Sequence, residues 1–418
     1  MSLGDSYISG EAGRWAGNTA RPSCKVYGSN GICDEYYVPA PQERVDALGE
    51  NAYHDLFWPS REEIVGCHRS QSAEVHIGIG TLNSKNFACS GAKTSSQMDG
   101  SFWKPGIDPA TWGPAGGIGQ TLALQSFAIG HDVKIVLLSI GGNDFGFGGI
   151  VKKCIAAFLG SLDPAGDLCK DDTTVVDNLL LAAEVTGAIE SAVQNVATAM
   201  TNAGRSRNDY TIVLQTYPSP LPKGSLIRYA DEYDDYPRHE VGACGIYNDD
   251  ATWLNDHFLA TVNEAVLDAA KGSRRDPANP RIRVLDVSRL FDGHRLCEVG
   301  VGLIEDFAPF IGPVESWAQP GAADATEWVA GIRGHLPGEG FESWWANEAP
   351  VYPGYTRNES VHPNYWGQLA LRNCARQVAE RLMDGARPTT FRTARCWGKA
   401  NGGTNSRGEP NVTVRYLW

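Results

Sequence analysis

The stretch that decides the fold is the first ten residues, Met1-Ser2-Leu3-Gly4-Asp5-Ser6-Tyr7-Ile8-Ser9-Gly10. A short apolar start runs into Gly-Asp-Ser and then into small residues, the pattern of a β-strand that ends in a sharp turn. A serine at such a turn stands beyond the strand's carboxyl end, where backbone N–H groups of the next turn converge. Gly-Asp-Ser also fits an ordinary polar turn, so its meaning depends on partners elsewhere in the chain.

Working outward, strand patterns alternate with helical ones. Val133 to Ile140 is a nearly continuous apolar run, as expected of a parallel strand buried on both faces, and it ends in Gly141-Gly142-Asn143-Asp144. Further strands are expected at Tyr210 to Thr216 and Arg281 to Val287, with a late strand or arm at Asn411 to Val414. Helical spacing covers Ile118 to Ile129, Val175 to Met200, Trp253 to Ala270 and Asn364 to Met383, the last opened by His362-Pro363. Ser70 to Ile79 carries a weaker helical signal. Lys85 to Ala92 reads as a short strand ending in a glycine loop. Residues 11–59 and 93–117 are loop-rich, and 291–357 form a long Gly/Pro/Trp-rich insertion with Trp317, Trp328, Trp344 and Trp345. The alternation predicts parallel βαβ units in one doubly wound, three-layer α/β/α sandwich spanning 1–418. In such sheets the site lies beyond the strand carboxyl ends. Ser6, Gly91 and Asn143 each follow a predicted strand, and His362 stands at the mouth of the last helix.

Composition narrows the class. Hydrophobic residues are 42% and charged residues 20% of the 418, which excludes disorder as the main state. The formal net charge of −13, with no Lys/Arg run to offset it, argues against nucleic acid as a partner. No apolar run approaches the roughly 20 residues that span a bilayer. Ten cysteines point to an oxidising compartment, hence a secreted protein. They fall as neighbours, Cys24 and Cys33, Cys67 and Cys89, Cys154 and Cys169, Cys244 and Cys297, Cys374 and Cys396, although spacing leaves the connectivity open. No Cys-x-x-Cys occurs, so structural disulfides are favoured over metal. An exported chain needs a signal peptide and none precedes Ser2. The natural protein is therefore expected to begin further upstream.

Acyl transfer at a serine needs a base within hydrogen-bond reach, a group that orients the base, and fixed donors for the oxyanion. The chain offers one candidate for each. Ser6 is the nucleophile, His362 the base, and Glu359 the orienting acid. The backbone N–H groups of Ser6 and Gly91 and the side-chain amide of Asn143 are the oxyanion donors, with glycine at 91 allowing close approach of backbone to substrate.

Gly4-Asp5-Ser6-Tyr7, Ala88-Cys89-Ser90-Gly91-Ala92, Gly141-Gly142-Asn143-Asp144 and Glu359-Ser360-Val361-His362-Pro363 resemble, in order, the four blocks of the SGNH (GDSL-type) hydrolases. Within that superfamily the chain looks most like secreted actinobacterial esterases and lipases. The resemblance spans residues 4 to 363 but not the insertions. It implies a flavodoxin-like sandwich with a mostly parallel sheet, a serine esterase acting through an acyl-enzyme, and no metal or cofactor. It also implies a bond between Cys89 and the cysteine of Cys67-His68-Arg69-Ser70. Two departures stand out. The fourth block usually has Asp three residues before His, where Glu359 stands here, so a backbone carbonyl is the alternative orienting group and leaves a dyad. Tyr7 replaces the commoner Leu.

The remaining histidines, 54, 68, 76, 131, 239, 257, 294 and 335, match no block and read as surface or satisfied core residues. The acidic run from Asp231 to Asp235 lacks the spaced ligands and glycine of a calcium loop. Trp366, close to His362, is the best pocket candidate. The expected substrate is a lipid or other short-to-medium-chain ester, acted on by a monomer. The alternatives are a carbohydrate esterase that uses its tryptophans as sugar platforms, an inactive binding module on the same scaffold and, less favoured, a serine peptidase.

Overall fold

A computed structural model describes residues 1–13, 66–160, 168–231, 238, 244–302, 321–332, 359–384, 390–399 and 401–418, with the backbone alone of 23–27 and 33–37. Six strands form one sheet in the order β1 (Ser2–Gly4), β2 (Ile135–Ser139), β3 (Thr211–Gln215), β4 (Arg281–Arg289), β5 (Thr393–Gly398) and β6 (Val412–Leu417). All neighbours are parallel except β5 and β6. Val136, Leu138, Ile212, Val213, Leu214, Val284 and Leu285 are buried, because helices cover the strands that carry them. The helices that frame the sheet and the site are α1 (Ser6–Ser9), α2 (Gln120–Gly130), α3 (Phe147–Gly160), α4 (Ala182–Asn202), α5 (Leu259–Ser273) and α6 (Tyr365–Met383), with shorter ones between them. The α4 helix packs between α2 and α5, while α6 lies against β4, β5 and β6. This is the α/β sandwich that the alternating pattern predicts.

The second strand is reduced to one residue. Lys85 to Ala92 does not form a strand. Asn86 makes an isolated parallel bridge to Ser2, on the side of β1 away from β2. The Asn86 side chain explains the shortening, since it bonds Ser2 Oγ at 3.0 Å and its oxygen also takes the Ala88 N–H at 3.1 Å. The chain therefore leaves β1 for one side of the sheet and later returns to the other. Ser6 stands at that switch point, where sheets of this class open a crevice.

Ser70 to Ile79 is not helical but a pair of turns, with Ala73 N–H to Ser70 O and His76 N–H to Ala73 O. Ser70 and Ser72 bond each other at 3.0 Å, and Ser72 donates to Gly13 O at 2.7 Å; such side-chain bonds compete with a helix. The helix expected over Val175 to Met200 is broken into Thr173–Val176, a 3₁₀ turn at Asp177–Leu181, and α4. That from Trp253 to Ala270 carries a π turn at Leu254–Phe258. Elements not anticipated include α3, β5 and the short helices Asn248–Trp253 and Ala322–Ala325. Both expected loop regions hold a small antiparallel hairpin, Ser23–Tyr27 with Cys33–Tyr37 in 11–59 and Gln97–Asp99 with Phe102–Lys104 in 93–117. Most of the 291–357 insertion, the acidic run beyond Asp231, and the pairing of Cys24 with Cys33 lie outside the described residues.

Four disulfides close the described cysteines: Cys67–Cys89, Cys154–Cys169, Cys244–Cys297 and Cys374–Cys396. Among the described residues no helix is long and apolar enough to cross a membrane.

Candidate active site

The turn that carries Ser6 follows directly from Gly4. Its φ of +141° and the absence of a side chain are both required, since a Cβ there would lie 2.0 Å from Ser139 O. The buried Gln120 side chain clamps the turn, accepting from Gly4 N–H at 2.8 Å and donating to Gly4 O at 2.8 Å. Asp5 then caps α1 by accepting from Tyr7 N–H at 3.2 Å. Ser6 is the first residue of that helix, so its N–H has no intrahelical acceptor.

Asp5 is tied to the third block. The Tyr217 hydroxyl donates to Asp5 Oδ2 at 2.5 Å and accepts from Gly142 N–H at 3.1 Å. Burial pushes the Asp5 carboxyl up to about 7, against the pull of the Tyr217 and Tyr7 hydrogen bonds. The Asn143 side chain donates to Ala92 O at 3.0 Å, which binds the third block to the loop carrying Gly91. Asp144 extends the same link by accepting from Thr94 Oγ1 at 2.6 Å. Gly91 has φ +75° with Lys104 packed beside it, a conformation that L side chains rarely adopt.

The fourth block is held under strain. Val361 has φ +57°, which is costly for a β-branched residue. Three bonds hold the turn: Tyr7 hydroxyl to Val361 O at 2.9 Å, Val361 N–H to Ala330 O at 3.0 Å, and Ala330 N–H to His362 O at 2.9 Å. The turn brings His362 Nε2 to 2.7 Å from Ser6 Oγ, across 356 residues of sequence. Nδ1 faces the Ser360 carbonyl at 2.9 Å, not the Glu359 carboxylate. Glu359 meets His362 through its backbone, its carbonyl accepting from His362 N–H at 3.2 Å. A carbonyl at Nδ1 fixes the tautomer: Nδ1 carries the hydrogen and Nε2 presents its lone pair to the serine hydroxyl.

Pro363 lies one residue before the α6 cap, which is Asn364; its side chain accepts from Gly367 N–H at 3.1 Å. Trp366 is 7% exposed and belongs to the hydrophobic core, in contact with Tyr365. Trp328 is buried too, stacked on His294 and donating to Ala323 O at 2.8 Å. Trp317, Trp344 and Trp345 lie outside the described residues. The only cluster of potential metal ligands among the described residues, Cys154, Cys169 and Asp250, includes the two sulfurs of a disulfide, and Asp250 is used by the N–H groups of Cys169 and Lys170.

One group at the site escapes the motif reading. Glu11, five residues after Ser6 and 1% exposed, sits with Oε2 3.7 Å from His362 Nε2. Its Oε1 is 2.6 Å from His68 Nδ1, and Ser90 Oγ donates to Oε2 at 2.5 Å. Burial would push the Glu11 carboxyl up. The His68 and His362 imidazoles, with the bonds from His68 and Ser90, outweigh it and leave it at about 2. The signal available in sequence was a lone acidic residue just after an apolar turn.

No protein-family model matches the chain. No curated protein matches it either. Among solved structures, the chain is similar to an extracellular lipase from Streptomyces rimosus, at 16% identity and a TM-score of 0.34, covering 77% of this chain and 90% of that one. It is also similar to a phospholipase A1 from Streptomyces albidoflavus, at 14% identity and a TM-score of 0.37, covering 90% and 97%. Likeness at that level leaves the functional reading to the residues themselves.

Proposed function

We propose that the chain is a secreted serine esterase, a single hydrolase domain that cleaves carboxylic esters through an acyl-enzyme. The observation that carries this reading is the 2.7 Å approach of Ser6 Oγ and His362 Nε2, with Nδ1 held by a backbone carbonyl. Ser6 Oγ attacks the ester carbonyl as its proton passes to Nε2. The new C–O bond pushes the carbonyl electron pair onto oxygen, where the N–H groups of Ser6 and Gly91 and the Asn143 amide receive it. Collapse breaks the bond to the alcohol, which leaves with the proton from Nε2. Water, deprotonated by the same nitrogen, releases the acid. The orienting group is the Ser360 carbonyl, so the pair works as a dyad and Glu359 is a structural residue of the turn. Disulfides at four described cysteine pairs support export.

The finer substrate class is a lipid ester. Beside Gly91, the hairpin that carries Lys104 exposes Met98 and Phe102, and Trp112, 58% exposed, stands edge-on to Trp103 at 4.5 Å. That apolar rim suits an acyl chain better than a sugar. The test is hydrolysis of p-nitrophenyl esters of increasing chain length, alongside acetylated xylan, by the purified chain and by Ser6→Ala and His362→Ala. Each variant is expected to lose about 10³-fold or more in kcat while melting within a few degrees of the parent. A well-folded Ser6→Ala that keeps parental turnover contradicts the mechanism, and a preference for acetylated xylan contradicts the substrate class.

A further inference from the structure

We propose that Glu11 is the carboxylate that serves His362, its negative charge stabilising the imidazolium formed when Ser6 gives up its proton. The inference rests on the esterase reading above and deepens it. A dyad whose Nδ1 meets only a carbonyl has no anion at that nitrogen. Glu11 supplies one on the other side, 3.7 Å from Nε2, the atom that receives the proton.

The surroundings of Glu11 are built to keep it charged and in place. An ionised carboxylate that is 1% exposed persists only if paired and hydrogen-bonded. Here His68 takes one oxygen and Ser90 the other. Those two residues directly follow Cys67 and Cys89, which are joined by a disulfide, and Ser90 N–H donates to Cys67 O at 3.0 Å. His68 is held at φ +51°, an uncommon backbone for a histidine, which turns its ring onto the carboxylate. The Glu11 N–H reaches back to Ser6 O at 3.3 Å, so the anion is fixed to the same turn as the nucleophile. Ser90 in turn precedes Gly91, the proposed oxyanion donor. The other titratable groups around the pair are Asp5, Tyr7 and Tyr217 behind the turn, Asp144 beside Asn143, and Lys104, whose amine donates to Gly66 O. Of the carboxylates among these, Glu11 is the one in direct reach of Nε2.

Burial with satisfied bonds is equally what a purely structural glutamate needs, so the experiment must read charge. Glu11→Gln in the full chain keeps the shape and loses the charge. With p-nitrophenyl butyrate, kcat is expected to fall about 10²-fold with little change in KM. The acidic limb of the pH profile of kcat/KM is expected to move to lower pH, because an imidazolium without its anion loses its proton more readily. A folded Glu11→Gln with kcat within about twofold of the parent overturns the proposal, and so does a loss of rate with the acidic limb unmoved. If Glu11→Gln does not fold, Ser90→Ala decides. Removing that bond loosens the Glu11 carboxylate beside Nε2, so kcat is expected to fall several-fold with little change in KM, and a folded Ser90→Ala with parental kcat overturns the proposal. Ser6→Ala, assayed alongside, keeps the two levels apart. Activity that survives there refutes the esterase reading itself, whereas the role of Glu11 is judged only on rate that depends on Ser6.

Discussion

At the carboxyl end of the parallel strands, Ser6, Glu11 and His68 are nearly inaccessible and bonded to one another or to His362, and buried Asp5 is bonded to Tyr217 and Tyr7. At the amino end, Met1, Ile135, Leu137, Val213, Ala375 and Val378 surround an apolar cavity of about 220 Å³. What marks the carboxyl end is a set of buried ionisable groups whose burial is compensated by specific partners. The amino end shows how the same sheet is built when only packing is at stake.

Breaking that contrast has its largest effect at the disulfides. Cys67–Cys89 and Cys374–Cys396 both close a sequence separation of 22, so each is expected to contribute about 3 kcal/mol by constraining the unfolded chain. Cys67→Ser with Cys89→Ser should lose that stability together with most esterase turnover, because His68 and Ser90 then release Glu11. Cys374→Ser with Cys396→Ser, which unties α6 from β5, should lose stability alone. Denaturant titration paired with kcat measures both. Equal loss of turnover in the two double variants contradicts the account.

A smaller effect sharpens it through pH. Glu74 is fully buried near the site, and Gln215 Nε2 donates to both of its oxygens at 2.9 Å. Burial pushes its carboxyl up to about 8, from an ordinary 4.5. The folded protein therefore holds Glu74 neutral where the unfolded chain ionises it. The stability this contributes is whole below pH 4.5, and is lost as pH rises to about 8. Glu74→Gln, which cannot ionise, should flatten the fall in unfolding free energy between those pH values, by an amount on the order of a few kcal/mol. An unchanged slope would place the proton elsewhere. The smallest effect belongs to the amino end, where Ala379→Val partly fills the cavity. It is expected to add about 0.5–1 kcal/mol and leave turnover as it was.

The parts of the molecule legible in sequence are those where one local rule dominates. The apolar run before Gly141-Gly142-Asn143 is a central strand because both of its faces are buried. The long amphipathic segment after His362 is a helix for the same reason of periodicity. Residues with unusual backbone were legible as motifs, since glycine at 4 and 91 is read directly. Side-chain rivalry was not. Ser70 and Ser72 replace a helix with turns, and Asn86 reduces a strand to a bridge, by bonds to partners at Gly13 and Ser2 that no local window contains. At the site, the serine, histidine, asparagine and glycine stood out by their blocks. The group facing Nδ1 was left between Glu359 and a backbone carbonyl, because a carbonyl has no sequence signature of its own; the Ser360 carbonyl meets Nδ1 through the strained turn at Val361. Glu11 was missed for the same reason as Asn86: its meaning comes from His68 and Ser90, far away in the chain.

The central claim is that Ser6, activated by His362, is a nucleophile. It is tested most directly by incubating the chain with a fluorophosphonate and mapping the adduct by peptide mass spectrometry. The account predicts one phosphonyl group per chain, on Ser6, formed far more slowly in His362→Ala. An unlabelled chain, or an adduct on another residue that forms equally fast without His362, would contradict it.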